Sequence, residues 1–316
     1  MLRVAEATSD PDLVITAQVL MSARYYWMGE YISCLKHRDA VERLYDPVKH
    51  HHLAGVLNHD PKTLVGSFAG TVTWMLGYPE RAARLCNETK AHGRVRGHPF
   101  DQGFALTEGS EAYLLRGEHA AFRKLAVECE TIGRENSLPV LWGFMSTTYA
   151  GMADIESGEL AAGIKALKAG IALWEGADGH LAIPWYKTML AIGLASAGDI
   201  DAALAIVDEA IDQIERPGWE ERLYYAEVLR VKGWILELKG NTDGAEACYL
   251  ASLEWAGKQQ AKSWELRTAT SLARLWQQQG KSKEARNLLA PIYNWFAEGF
   301  DTRDLKDAKR LVEELG

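Results

Sequence analysis

The chain has 316 residues, enough for two ordinary globular domains or one long repeat array. Apolar residues make up 47% and charged residues 25%, a balance that excludes a disordered polymer. The formal net charge of −8 disfavours binding to nucleic acid through bulk charge.

The first ten residues, MLRVAEATSD, contain no apolar signal-peptide core, and no run approaches the ~18 apolar residues of a membrane span. The four cysteines, Cys34, Cys86, Cys129 and Cys248, are far apart and form no C-x-x-C. Buried single thiols in a reducing cytoplasm are the expectation.

Helical three-four spacing runs through the chain, and strand-like alternation is absent. The first pair of helices is predicted over 12–27 and 31–45. An irregular insertion, 46–60, follows within LYDPVKHHHLAGVLNHDP. The next pairs are predicted over 62–76 and 80–92, 100–115 and 119–135, 138–156 and 160–175. The last three pairs are predicted over 183–197 and 200–215, 219–238 and 243–258, 262–278 and 283–297. An amphipathic segment, 302–315, is read as a cap on the apolar end of the array.

One glycine sits between the two helices of each pair: Gly29, Gly77, Gly117, Gly158, Gly198, Gly240 and Gly280. The gaps are 48, 40, 41, 40, 42 and 40 residues. A glycine between an apolar helical run and a polar helix start marks a left-handed helix terminus. Seven residues before each turn stand Ser22, Gly70, Ser110, Gly151, Ala191, Gly233 and Ala273, all small. Beyond the glycine gather Ala82, Ala83, Ala120, Ala121, Ala161, Ala162, Ala202, Ala203, Ala245 and Ala285. Small residues facing each other let two helices approach closely, to ~8 Å.

This layout resembles the tetratricopeptide repeat, best in LAIGLASAGDIDAALAIVDEA and VLRVKGWILELKGNTDGAEA. The resemblance implies an all-α, right-handed superhelical solenoid of about seven hairpins plus a C-terminal capping helix, a single repeat domain over 1–316. A narrower likeness runs to the C-terminal helical-repeat region of bacterial class III adenylate/guanylate cyclase and AAA-ATPase signalling proteins. It rests on LYDPVKHHHLAGVLNHDP, GHPFDQGFAL and, most specifically, ARNLLAPIYNWFAEGFDTRDLKDAKRLVEEL. Those proteins' catalytic domains have no counterpart here, so the likeness implies a docking or sensing arm.

Catalytic signatures are missing. The string GKS at 280–282 lacks the upstream glycine of a phosphate loop, since position 275 is Leu, and it follows a helix. No H-E-x-x-H, G-x-S-x-G or G-x-G-x-x-G occurs. His50, His51, His52 and His59 are the one metal-like cluster; His52 and His59 would share a face if the segment were helical, with Asp60 close. The cluster is read as a polar loop, so no metal, cofactor or enzyme activity is expected.

The resemblance places the first helix of each hairpin on the concave face. Inward positions counted from the turn glycines are Phe104, Glu111, Met145, Met152, Trp185, Ile192, Glu227, Arg230, Trp234, Glu237, Arg267 and Arg274. The middle hairpins would offer an apolar lining and the last two a charged one with an aromatic, suiting an extended peptide. The expected function is a protein-interaction scaffold holding a peptide or partner domain. The alternative is a small-ligand sensor arm. Most of the eleven tryptophans are assigned to the core, and self-association through the array ends is a further expectation.

Overall fold

A computed structural model describes residues 2–8 and 10–316. No strand forms among them, and the chain is an all-α solenoid. After α1 (Leu2–Thr8), seven hairpins follow in order: α2 (Pro11–Met28) with α3 (Tyr31–Leu44), then, past the short α4 (Ala54–Leu57), α5 (Pro61–Met75) with α6 (Pro79–Arg96). The third joins α7 (Pro99–Leu106) and α8 (Glu111–Leu115) to α9 (His119–Glu135), and the fourth pairs α10 (Ser146–Glu156) with α11 (Leu160–Gly176). The last three are α12 (Ile183–Ser196) with α13 (Ile200–Glu215), α14 (Tyr225–Leu238) with α15 (Thr242–Gln259), and α16 (Lys262–Gln278) with α17 (Ser282–Asn294). Helix α18 (Arg303–Glu314) buries Leu305, Ala308 and Leu311 in a cluster with Leu266, Ala269, Ala285 and Leu289, covering the apolar end of the array.

All seven turn glycines take φ between +72° and +96°. At each turn the second amide past the helix bonds back across it, as in Asp199 N–H to Leu194 O at 2.9 Å and Asn241 N–H to Leu236 O at 2.9 Å. The small positions before the turn are buried against the second helix. A Cβ on Gly233 would lie 2.7 Å from Tyr249 Cε1, and one on Gly151 would lie 2.9 Å from Ala166 Cβ.

On the second helix one register makes this contact: Cys34, Ala82, Phe122, Gly163, Ala203, Ala245 and Ala285, all buried and each five residues past the glycine. Ala120, Ala121, Ala161 and Ala162 are exposed, which corrects the expectation of a broader alanine surface. The helical period turns the fifth position inward and its neighbours away.

Two first helices depart from the predicted bounds. In the third hairpin the predicted helix 100–115 breaks at Thr107 (φ −105°, ψ −88°) and passes through a 3-10 turn, Glu108–Ser110, before α8. Gly109 sets the break: a Cβ there would lie 2.8 Å from Ser67 Oγ on α5. In the sixth hairpin the helix begins at Tyr225 rather than 219, because 219–224 is drawn against the first hairpin. The first turn of the fourth hairpin, Val140–Met145, is π-helical, with Gly133 of α9 packed closely under Leu141 and Trp142.

The solenoid coils tightly enough for its two halves to meet. Arg222 N–H donates to Trp27 O at 2.7 Å, Tyr31 Oη to Leu223 O at 2.7 Å, and Ser263 Oγ to Trp74 O at 2.5 Å. Trp74 and Trp264, both buried, meet edge to face at 4.7 Å. Glu298 Oε1 accepts the N–H groups of Glu80 and Arg81 at 2.8 and 3.0 Å, capping α6. The first two turn glycines are part of this seam: a Cβ on Gly77 would lie 2.5 Å from Trp295 Cζ3, and one on Gly29 would lie 3.0 Å from Arg222 O.

Candidate binding pocket

Closing the superhelix fills most of the concave face. Met145, Met152, Trp185 and Glu111 are buried, with Met152 fully enclosed, so of the apolar lining expected from the middle hairpins only Ile192 borders open space. Trp185 stacks on Tyr224 at 4.3 Å and donates to Glu111 at 2.5 Å instead of facing solvent. Phe104 is half-buried against His59 at 4.6 Å and Phe68 at 6.5 Å. Glu237 accepts the hydroxyl of Tyr249 at 2.8 Å.

The other six candidates border one cavity. Ile192, Glu227, Arg230, Trp234, Arg267 and Arg274 line a space of about 490 Å³ between α10, α12, α14, α16 and α18. Four more linings come from segments the glycine ruler does not reach on the inner face: Glu156, Arg303, Asp304 and Asp307. The last three belong to the capping helix, whose first turn closes one side. Nothing in the repeat pattern signals this, because α18 follows the last hairpin and has no register of its own.

Charge in the cavity is almost fully paired. Arg230 grips Glu227 with two bonds of 2.7 Å, and Arg303 Nη1 lies 3.2 Å from Glu156 Oε2. Asp307 is held by Arg310. Arg267 donates from Nε to Asp304 Oδ2 at 2.7 Å and from Nη2 to Leu115 O at 2.6 Å, and its guanidinium lies 4.8 Å from the Trp74 ring centre. Burial works against the charge on Arg230 and Arg267, but Glu227 and Asp304 raise both above the ordinary guanidinium value. Burial also lifts the Asp304 carboxyl above its usual range despite Arg267.

Arg274 is the exception. It is exposed, and no acidic partner lies within ion-pair distance among the described residues. Arg274 is thus a lining cation without an acidic partner, in the same cavity as Trp234 and the aliphatic side chains of Ile155, Leu160 and Ile192. That arrangement suits a ligand with an anionic group next to an apolar one.

Around the His-rich segment the acidic and imidazole groups pair with one another, and among the described residues no group of three or more His, Cys, Asp or Glu is placed to hold a metal ion. His52 Nε2 pairs with Asp12 at 2.7 Å, and His59 Nδ1 with Asp101 at 2.8 Å, so the two rings face different partners. Asp60 caps α5 through Thr63 N–H at 2.9 Å and accepts from His92 Nε2 at 2.8 Å and from the Tyr45 hydroxyl. Burial alone would raise Asp60, but these bonds hold its carboxyl well below the usual range.

The seven-hairpin solenoid with its small-residue contacts is the architecture of tetratricopeptide-repeat proteins. The family model for the tetratricopeptide repeat matches residues 184–209 and 266–291, within the fifth and seventh hairpins. No curated protein matches the chain in sequence.

Solved structures share the fold at low identity. NprR in complex with its cognate peptide NprX is 14% identical over 95% of this chain and 82% of its own, with a TM-score of 0.59. A Rap protein complexed with competence and sporulation factor is 10% identical over 95% and 97%, at 0.56. A chain of the APC/C hetero-tetramer Cut9–Hcn1 is 13% identical over 96% of this chain, at 0.55; the present chain spans 48% of it, about half its length. No helix among the described residues is long and apolar enough to cross a membrane.

Proposed function

We propose that this chain is a non-catalytic docking scaffold that holds an extended peptide or partner segment at the cavity beside α14, α16 and α18. The supporting observation is the unpaired cation: Arg274 stands without a carboxylate in the cavity that Trp234 also lines. A segment carrying a carboxylate beside an apolar side chain would pair with the arginine and stack on the indole. The similar folds of NprR and a Rap protein, each solved with a bound peptide or factor, support the reading. The likeness of the chain to the repeat arms of bacterial signalling proteins gives the proposed setting, cytoplasmic signalling.

Screening a random octapeptide library against the full chain tests this. Selected peptides are expected to lose at least tenfold in affinity on R274E and on W234A. An empty selection, or binding indifferent to both substitutions, would sink the assignment. Arg267 is unsuitable for such a test, because it also ties Leu115, Asp304 and the seam tryptophans together.

The size of the cavity, about 490 Å³, favours a second reading, a sensor of a small anionic metabolite. Thermal shift with small carboxylates and phosphates separates the two. A rise of melting temperature with free ligand and no peptide selection would favour the sensor.

A further inference from the structure

Two carboxylates lie at the centre of the coil with no cation paired to them among the described residues. Glu108 and Glu111 are 6% and 1% exposed. Tyr26 Oη donates to Glu108 Oε1 at 2.6 Å, and Tyr149 donates to its other oxygen. Trp185 Nε1 donates to Glu111 Oε1 at 2.5 Å, and Tyr224 donates to its Oε2. The four donors are neutral and come from α2, α10, α12 and the residue just before α14.

The remaining groups bearing on the pair are the Tyr186 hydroxyl and the Glu221 carboxyl, again without positive charge. Two bare carboxylates in so dry a place would repel each other with nothing to offset their desolvation. Protonating one of them removes one charge and the repulsion, and leaves the other carboxylate held by its two donors.

The pair also lies where the coil closes. Tyr26 belongs to the first hairpin, and Tyr224 follows Leu223, whose carbonyl takes the Tyr31 hydroxyl across the seam. Glu108 and Glu111 therefore hold both sides of the seam from the third hairpin.

We propose that Glu108 and Glu111 together carry one proton, bound to one carboxyl or the other, and that this proton keeps the coil shut. In an open coil both groups are hydrated and ionise at their ordinary values, so each opening releases the proton to solvent. Burial first, and then the Glu108 charge, push Glu111 up to about 8 in the closed coil, and burial raises Glu108 as well. Between the ordinary range and about 8, opening therefore becomes about tenfold easier per pH unit.

Hydrogen exchange on the full chain between pH 5.5 and 8.5, corrected for the intrinsic rate, tests this. The readout is the peptide covering 219–225, which contains the Arg222 amide bonded to Trp27. Its protection is expected to fall at least tenfold per pH unit, the pair giving one decade and Glu221 adding to it, and to level off near pH 8, while α13 stays protected. The double variant E108Q/E111Q removes this pair's titration and is expected to lose about one decade per pH unit from the wild-type slope, keeping only the slope that the buried Glu221 contributes. Glutamine suits both sites, because a tyrosine hydroxyl also accepts a bond from the amide. If the double variant fails to fold, E111Q alone removes the like charge and is expected to lose at least tenfold less protection by pH 8.5. A flat wild-type profile, a slope shared with α13, or a wild-type slope kept in a folded variant would overturn the proposal.

Discussion

Glu298 caps a helix that begins more than two hundred residues before it: its Oε1 accepts the N–H of Glu80 at 2.8 Å. Glu80 returns the contact, accepting the N–H of Gly299 at 3.1 Å. Helix α6 has no side-chain cap from its own N-cap residue, Tyr78, so the C-terminal end of the array completes the N-terminal half. E298A is expected to lower stability by about 1 kcal/mol, the usual worth of a cap. Urea denaturation measures it, and an unchanged midpoint would show that this part of the seam carries no stability.

The turn glycines test the seam separately from the turn. Gly77 and Gly198 share a left-handed backbone, at φ +96° and +91°, but only Gly77 is covered by Trp295 and Lys262. G198A is expected to cost about 1 kcal/mol for the left-handed alanine alone. G77A is expected to cost about 2 kcal/mol more, because its methyl must displace the opposite wall. Equal losses in thermal melts would contradict the seam.

Arg274 and Arg267 line the same cavity and should behave oppositely in stability. R274A removes an exposed, unpaired side chain and is expected to change stability by no more than about 0.5 kcal/mol. R267A leaves Asp304 and Glu227 without their shared cation and is expected to cost about 3 kcal/mol or more. Calorimetric melting of both variants reads the difference.

Glu221 and Asp60 give the stability profile two slopes of opposite sign. Burial pushes Glu221 up to about 8, and its Oε2 has no hydrogen-bond partner. Below its unfolded value of about 4.5 the group is protonated in both states and contributes nothing. As pH rises towards 8 the unfolded chain has lost this proton while the folded chain keeps it, so stability falls. Asp60 is ionised in the fold below its usual value, so its contribution is present above about pH 4 and is lost as pH falls further. E221Q is therefore expected to stabilise the chain at pH 8 and leave it unchanged at pH 4. Urea midpoints at the two pH values check this, and an equal shift at both would refute it.

The local features were legible residue by residue. A left-handed glycine between an apolar run and a polar start is a short-range rule, so the turns at Gly29 through Gly280 and the paired helices around them could be read directly. The small residue seven positions before each turn could be read too, because its packing partner is the adjacent helix. Glu108 and Glu111 were not legible in this way, because TEGSE reads as a polar stretch between two apolar ends and Glu111 as a groove residue.

Which concave residues stay open could not be read in this way. The inward register is set by the helical period, but whether an inward residue meets solvent or another wall depends on the pitch of the whole coil. Small packing rotations between hairpins sum over the array, and here they bring Trp27 to Arg222 and Trp74 to Trp264. The sequence by itself determined the repeat, its turns and the inward-facing positions, because those rest on neighbours within about forty residues. The tertiary structure alone decided that Met152 and Trp185 are core while Trp234 and Arg274 border a cavity, because the burial of an inward residue depends on how the whole coil packs and not on its own register.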